Sequence, residues 1–296
     1  MPAIKQWLNY KSQLIGGSEI ASLFNGLGYK TPLAIWMEKT GASEPENLDG
    51  IIPVMAGQLF EDRIAELASR VFNIELTKCD QFYLDEERKT CASLDYLTEE
   101  DGQQVPVELK FLGRKSREGQ PHSSYVDTEV EGVYLPPVKF QLQVQWQMHH
   151  QGADFGYLIA MVGNSELLAN RIDRDQALID SMLEVNDRFW KSVASNKPPA
   201  AVPAQDYDAV MALCNQVDDT KTLQHFSNLE TEAMLMEYLD AAEQVKTAEA
   251  RKKALKMELV ELMGDAIKLE TNVASCSAKL NKYNNRTLRV TKRKSA

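Results

Sequence analysis

Asp95, Glu108 and Lys110 are the pattern in this sequence best suited to catalysis, two carboxylates and an amine. In an extended strand residues two apart point to the same side, so Glu108 and Lys110 stand together while Leu109 faces the other way. Asp95 ends a preceding strand-like segment and can approach that pair across a hairpin. Two carboxylates make the hard-oxygen site that Mg²⁺ prefers, and this ion keeps waters that can attack phosphorus. The adjacent ammonium can orient the attacking water or neutralise charge developing on phosphate oxygens. A solvated hairpin edge would show the same spacing. Two features favour chemistry. The charges interrupt Cys91-Ala-Ser-Leu-Asp and Val105-Pro-Val-Glu-Leu-Lys-Phe, whose inward side should be apolar, and a third carboxylate, Glu61, lies in the helical stretch before them. Gln143, on the helical stretch after them, offers a neutral donor or acceptor.

The elements that must position these residues follow from periodicity and punctuation. Two short helices are predicted between residues 15 and 40. Ser18 is the expected cap of the first, with Glu19 favoured by the helix dipole. Thr31-Pro32 opens the second, whose apolar face carries Leu33, Trp36 and Met37 before Gly41 ends it. After a polar loop at 42–50, a helix over about 53–70 presents Val54, Leu59, Ile64, Leu67 and Ala68, with Glu61 in its middle. Strands are predicted at 75–78, 82–84, 90–94 and 105–111 as a meander, the last two joined through the turn chemistry of Thr98-Glu-Glu-Asp-Gly-Gln. Residues 113–137 read as a long loop, 138–149 as a helix, 155–162 as an apolar strand and 171–194 as a helix. The prolines of Asn196-Lys-Pro-Pro-Ala-Ala-Val-Pro close a first domain at 1–200. Residues 201–296 form a C-terminal extension, with a long helix over about 229–263 and a basic, β-leaning tail. Tyr238, Ala241, Val245, Ala248, Lys252, Leu255, Leu259 and Leu262 make one seam of that helix, which suits either docking on its own domain or a partner contact.

Composition narrows the classes. The chain has 296 residues, 44% hydrophobic and 26% charged, enough for a sizeable core. No apolar run approaches the roughly 20 residues of a membrane span and the first residues lack a secretory pattern, which reads as cytoplasmic with no membrane partner. Cys79, Cys91, Cys214 and Cys276 are too scattered for a zinc ribbon or an iron-sulfur cluster and read as free thiols of a reducing compartment. The net charge of −10 excludes a uniformly basic coat on nucleic acid. Its distribution is uneven: residues 201–250 hold 2 basic and 10 acidic groups, residues 251–296 hold 12 and 4. Phosphates respond to charge within a Debye length of about 8 Å, so local basic clusters still matter. His149-His150 are neighbours on a helix, about 100° apart, and do not share one ion readily.

Six segments in order, Ile15-Gly-Gly-Ser-Glu-Ile, Gly28-Tyr-Lys-Thr-Pro-Leu-Ala-Ile-Trp-Met-Glu-Lys-Thr-Gly, Gly57-Gln-Leu-Phe-Glu, Ala92-Ser-Leu-Asp, Val107-Glu-Leu-Lys and Gln143-Val-Gln, resemble the YqaJ-like viral recombinase family. That family belongs with phage lambda exonuclease among the PD-(D/E)xK nucleases. The resemblance covers about residues 11–195. It implies an α/β restriction-endonuclease-like core, a mixed central sheet flanked by helices, with the C-terminal helical extension outside the minimal nuclease. It further implies a Mg²⁺-dependent exonuclease, Mn²⁺ being a substitute, that digests one strand of duplex DNA from its 5′ end and leaves a 3′ tail for a phage annealing protein. A structure-specific or nicking endonuclease with the same metal site, or a non-catalytic DNA-end-binding protein, are the alternatives. Covalently closed circles separate the first two, since only an endonuclease nicks them.

Carried over by position, Asp95, Glu108, Glu61 and the Leu109 backbone carbonyl would hold the metal, Lys110 would activate the water and Gln143 would complete the shell. Ser18 and Lys11 fall at the site for a terminal 5′ phosphate. Lysine stands where the family usually has arginine, losing the planar two-point grip. Tyr96 stands where relatives usually have glycine. Arg114, Lys115 and Arg117 are candidates for the DNA backbone, or a solvated loop. The tail at 282–294 suits a DNA contact or neutralisation of the acidic 201–250 segment. By the same resemblance the assembly would be a homo-oligomer, a trimeric ring around DNA in the cytoplasm of a bacterial host.

Overall fold

Residues 155–162 are apolar almost without interruption, the signature of a strand covered on both faces, and the sheet is built around them. A computed structural model describes residues 10, 12–24, 27–113, 126–127, 134–164, 166–215, 220–224 and 228–293. Its contacts divide the chain into two units, Met1–Val217 and Asp218–Ala296.

The first unit contains a five-stranded sheet in the order β1-β4-β5-β8-β9. Its strands are β1 (Thr77–Lys78), β4 (Tyr96–Glu100), β5 (Gln103–Leu112), β8 (Phe155–Val162) and β9 (Glu166–Asp173). Only β5 and β8 are parallel; the other neighbours are antiparallel. Parallel neighbours need a crossover, supplied here by helix α4 (Val138–Gln151). The pair β2 (Phe82–Asp85) and β3 (Thr90–Ser93) stands outside this sheet as a separate hairpin, and β6 (Val126–Asp127) pairs with β7 (Tyr134–Leu135). The expected mixed sheet flanked by helices is thus present, although the meander is not continuous.

The remaining helices of this unit are α1 (Gly17–Ile20), α2 (Pro32–Thr40), α3 (Ile52–Phe72), α5 (Gln176–Ala194) and α6 (Tyr207–Leu213). Helix α2 starts as its sequence asks, with the Thr31 hydroxyl accepting from the Ala34 N–H and Gly41 closing it in the left-handed region at φ 75°. Helix α1 starts two residues earlier than expected. Gly16 is its cap, and Glu19 accepts from the Gly16 N–H at 3.3 Å, so Ser18 lies inside the first turn and does not cap it.

Helix α3 buries Ile64, Ala65 and Ala68 against Tyr96, Val107, Leu109 and Ile159. Its first turns carry no such cover. Leu59, expected on the buried face, is 73% exposed, and Ile52, Met55 and Phe60 are also exposed. The period of the apolar residues marks a face but not how far along it the sheet extends.

Two strand boundaries also differ. The hairpin turn is only Asp101-Gly102, both at positive φ (53° and 75°), which fits the primed two-residue turns. Residues 98–100, expected in the turn, extend β4 instead. Residues 171–173, expected in a helix, belong to β9, and α5 begins at Gln176 with the Asp175 carboxylate accepting from the Leu178 N–H. The edge strand β9 alternates half-buried and exposed residues, a period that helical spacing partly mimics over a few positions.

The core of this unit between α1, α2, α4 and α5 includes Ile15, Ile20, Trp36, Leu142, Trp146, Ile179 and Met182. Trp146 is fully buried and its indole N–H donates to the Cys91 carbonyl at 3.1 Å. At the end of α4 the His149 and His150 rings lie 5.2 Å apart. Burial, then the neighbouring His149, pushes His150 down to about 4, with Asp85 acting weakly the other way.

A base held below its unfolded value stays neutral in the native state while the unfolded chain takes up a proton, so folding is penalised as pH falls below that unfolded value. Between pH 7 and 4.5, His150 is therefore expected to cost about 2–3 kcal/mol. Urea unfolding at both pH values should show His150→Phe losing less stability over that interval than the parent. Equal losses would remove His150 as the source.

The second unit is helix α7 (Leu229–Met263) followed by the antiparallel sheet β10 (Lys268–Glu270), β11 (Ala274–Leu280) and β12 (Arg286–Lys292). Asn228 caps α7 by accepting from the Thr231 N–H. Its other end is tied to the sheet, as Arg286 donates to the Gly264 carbonyl and, at 2.6 Å, to that of Ala266. Among the described residues no cysteine forms a disulfide, and no helix is long and apolar enough to cross a membrane.

Candidate active site

The β4–β5 register decides what Asp95 meets. Tyr96 pairs with Val107 and Leu97 with Pro106. One step further along this antiparallel ladder, Asp95 lies opposite Glu108. The Leu109 N–H donates to Asp95 Oδ2 at 3.0 Å, holding the carboxylate against the strand.

Glu108 is 1% exposed and its carboxylate is enclosed by donors. Oε1 accepts from the Lys110 ammonium and, at 2.6 Å, from Gln143 Nε2. Oε2 accepts from Gln147 Nε2 at 2.6 Å. The two glutamines lie one turn apart on α4, the spacing that places side chains on one helix face. Gln147 was not among the expected site residues. The sequence offers only the i, i+4 spacing of Gln143 and Gln147, which Gln141 and Gln145 share.

Gln147 also donates to the Ser93 carbonyl at 3.2 Å, which links Glu108 to the strand before Asp95. Gln145, within the same motif, does other work. It donates to the Asp173 carbonyl and accepts from the Asp175 N–H, fixing the passage from β9 to α5.

Electrostatics single out this pocket. Burial first, and the Glu108 charge second, push the Asp95 carboxyl well above the usual carboxylate range. Burial works against the charged form of Lys110, yet the Glu108 charge and hydrogen bond outweigh it and hold the amine above its ordinary value. Glu61 is raised, chiefly by burial, and the charges of Glu108, Asp95 and Lys110 all reach it. It does not join the other two carboxylates. Its Oε1 lies 4.0 Å from Lys78, whose ammonium binds Asp62 at 2.6 Å, and Asp62 also accepts from the Tyr96 hydroxyl at 2.7 Å. Tyr96, in place of the family's usual glycine, therefore anchors α3 to the hairpin.

Among the described residues, no three His, Cys, Asp or Glu side chains stand close enough together to cage an ion. The donors nevertheless suit one kind of ion. Asp95 and Glu108 feel each other's charge, Lys110 bonds Glu108, and Glu61 lies within electrostatic reach of both carboxylates, an excess of negative charge that a cation would relieve. Hard oxygen donors match Mg²⁺ or Mn²⁺ rather than a softer metal.

Ser18 is exposed on α1. That helix abuts the site, for a Cβ on Gly17 would lie 3.4 Å from Gln143 Cγ. Leu109 contributes its N–H to Asp95. Lys11, Arg114, Lys115 and Arg117 lie outside the described residues. Trp36 is core and Tyr29 is exposed beneath the Lys139 ammonium, 3.7 Å from the ring centroid.

Removing the amide of Gln147 leaves a buried Glu108 oxygen without its donor. Gln147→Leu is expected to cost about 1–3 kcal/mol of stability. Gln143→Leu, at a half-buried position that water can reach, is expected to cost less. Urea midpoints of the two variants check this, and a larger loss for Gln143→Leu would contradict it.

A model of the YqaJ-like viral recombinase domain matches residues 6–154, a span that contains every side chain just described around Glu108. The chain is similar to the uncharacterized protein YqaJ of Bacillus subtilis, 25% identical over 269 residues, covering 88% of this chain and 78% of that protein. Among solved structures it is similar to an alkaline exonuclease from Laribacter hongkongensis, with 14% identity, 72% of this chain and 100% of that chain covered, and a TM-score of 0.48. It is also similar to a phage related exonuclease from Haemophilus somnus, with 12% identity, 62% and 96% covered, and a TM-score of 0.43.

Proposed function

This chain belongs to the YqaJ-like viral recombinase family, and we propose that it is a Mg²⁺-dependent exonuclease that degrades one strand of duplex DNA from 5′ to 3′, leaving 3′ tails for an annealing protein. The observation that carries this reading is the meeting of Asp95, just before β4, with Glu108 on β5 beside Lys110.

Asp95 and Glu108 would hold the cation, with the Leu109 carbonyl as a further oxygen and Glu61 acting at longer range. When bound, the ion lowers the pKa of a water and polarises the phosphoryl oxygens. Lys110, kept charged by Glu108, orients the attacking water and offsets charge growing on the scissile phosphate. Gln143 and Gln147 keep the Glu108 carboxylate in one orientation. Ser18 and Lys11 receive a terminal 5′ phosphate. Arg114, Lys115 and Arg117 follow the DNA backbone. Assembly into a homo-oligomeric ring lets an acidic chain hold DNA, with basic groups facing the duplex and acidic groups facing solvent.

Digestion of linear duplex labelled separately at its 5′ and 3′ ends, with Mg²⁺ and with chelator, tests the reading. Early release of the 5′ label only with Mg²⁺ is expected, with covalently closed circles left intact. Release that persists with chelator, early loss of the 3′ label, or nicked circles would each overturn a named part of it.

A further inference from the structure

Lys139 carries a charge that no carboxylate answers among the described residues. Lys30 closes on Glu38 at 2.6 Å and Lys39 on Glu19 at 3.0 Å. The Lys139 ammonium instead meets two rings, 3.7 Å from the centroid of Tyr29 and 5.1 Å from that of Phe140. It lies in the first turn of α4, which holds no acidic residue, at the end where the helix dipole adds to a positive charge.

Phe140 fixes where this charge stands. The Lys110 ammonium lies 5.2 Å from the centroid of the same ring, which is buried, so one ring borders both amines. Tyr29 is also close enough to act electrostatically on Lys110. The residues on either side of Tyr29 are pinned. The Lys30 N–H donates to Ser22 Oγ at 3.3 Å, and a Cβ on Gly28 would lie 2.2 Å from the same oxygen. The Tyr29 ring itself is 73% exposed, so its face away from Lys139 is open. A lone exposed aromatic is ordinary. One that carries a cation on one face, beside an amine of the site, supplies both parts that hold a nucleotide: a positive charge for phosphate and a π face for a base.

We propose that Tyr29 and Lys139 seat the nucleotide next to the scissile phosphate, the ammonium on its phosphate and the open ring face against its base. This seat rests on the nuclease reading and adds to it the contacts beside Lys110. Successive phosphates of one strand advance about 3.4 Å along a duplex, so a strand whose scissile phosphate meets Lys110 brings a neighbouring phosphate within reach of Lys139. A π face takes any base, so the seat grips without sequence preference. Tyr29, Lys110, Lys139 and Phe140 all belong to the first unit.

The test is the dissociation constant of the full chain, with Mg²⁺, over a series of salt concentrations. The probe is a duplex closed by a hairpin at one end and blocked from digestion by phosphorothioate linkages at the other. Tyr29→Leu is expected to weaken binding roughly 5- to 150-fold, the range for losing one stacked base, with an unchanged salt slope. Tyr29→Phe keeps the ring and should bind as the parent does. Lys139→Gln is expected to lower the slope of log K against log salt by roughly 0.7 to 0.9, one phosphate contact, and Lys139→Arg to keep it. Urea midpoints matching the parent's show that the fold is intact. Parent affinity for Tyr29→Leu, or a parent salt slope for Lys139→Gln, would overturn the seat, the pair then serving only to hold Tyr29 on α4. Digestion of an unblocked duplex by the parent keeps the two readings apart. No Mg²⁺-dependent digestion would remove the nuclease reading and the seat with it, whereas digestion with unmoved constants would remove the seat alone.

Discussion

Asp95→Asn or Glu108→Gln should lower metal-dependent cleavage of linear duplex by roughly 10³-fold or more while leaving the protein folded. Both carboxylates would hold the cation, so removing one charge weakens the grip on it and leaves the remaining donors aimed at a neutral amide. The same substitution relieves repulsion between two crowded acids, the second cause of the raised Asp95 value. For Asp95→Asn, which keeps an oxygen for the Leu109 N–H, thermal stability is therefore expected to hold or to rise, whereas Glu108→Gln sets an amide N–H against donors already aimed at that carboxylate and is expected to lose some. That combination separates loss of chemistry from loss of fold. Glu61→Gln should cost less, since its carboxylate stands toward Lys78 and outside the Asp95–Glu108 pair. Cleavage retained by both Asp95→Asn and Glu108→Gln would remove the site assignment.

Trp146→Ala should be the most destabilising single change in the first unit, by about 3–5 kcal/mol, the range for deleting a buried aromatic side chain. Trp146 is fully buried in the core that joins α1, α2, α4 and α5. Its loss opens a cavity and leaves the Cys91 carbonyl without the indole donor. Domains of this kind have a net stability of about 5–15 kcal/mol, so the change consumes a large part of it. Trp146→Phe keeps most of the volume and should cost less. Urea unfolding followed by circular dichroism measures both. A loss under about 1 kcal/mol for Trp146→Ala would mean that this core is not what holds α4 in place.

Cleavage by the Trp146 variant should fall in proportion to the unfolded fraction, because the indole bonds the Cys91 carbonyl and supplies no donor to Glu108. Helix α4 nonetheless carries Gln143 and Gln147 on its site-facing side. The two proposed effects are thus distinguishable by assay temperature: cooling should rescue Trp146→Phe and should not rescue Glu108→Gln.

The side of the strand shared by Glu108 and Lys110, the helical nature of 138–149 and the two-sided burial of 155–162 were all legible in the residues themselves. A strand has a period of two and a helix a period near 3.6, and both are local properties. The presence of Gln147 at the site was not legible. A buried amide has the same appearance in the sequence as a solvated one, and only the packing of α4 on β5 gives it Glu108 as a partner. The exposed first turns of α3 and the strand at 171–173 were hidden for a related reason. Periodicity identifies a face, while the element that covers it comes from elsewhere in the chain.

The sequence by itself determined which side chains share a face and where glycine and proline end the elements, because steric limits on the backbone act within a few residues. The tertiary structure alone decided that Asp95 meets Glu108 and that Glu61 turns to Lys78. Those outcomes depend on strand register and on burial between segments far apart in the chain, where a shift of one residue would send Glu108 to the opposite face of the sheet.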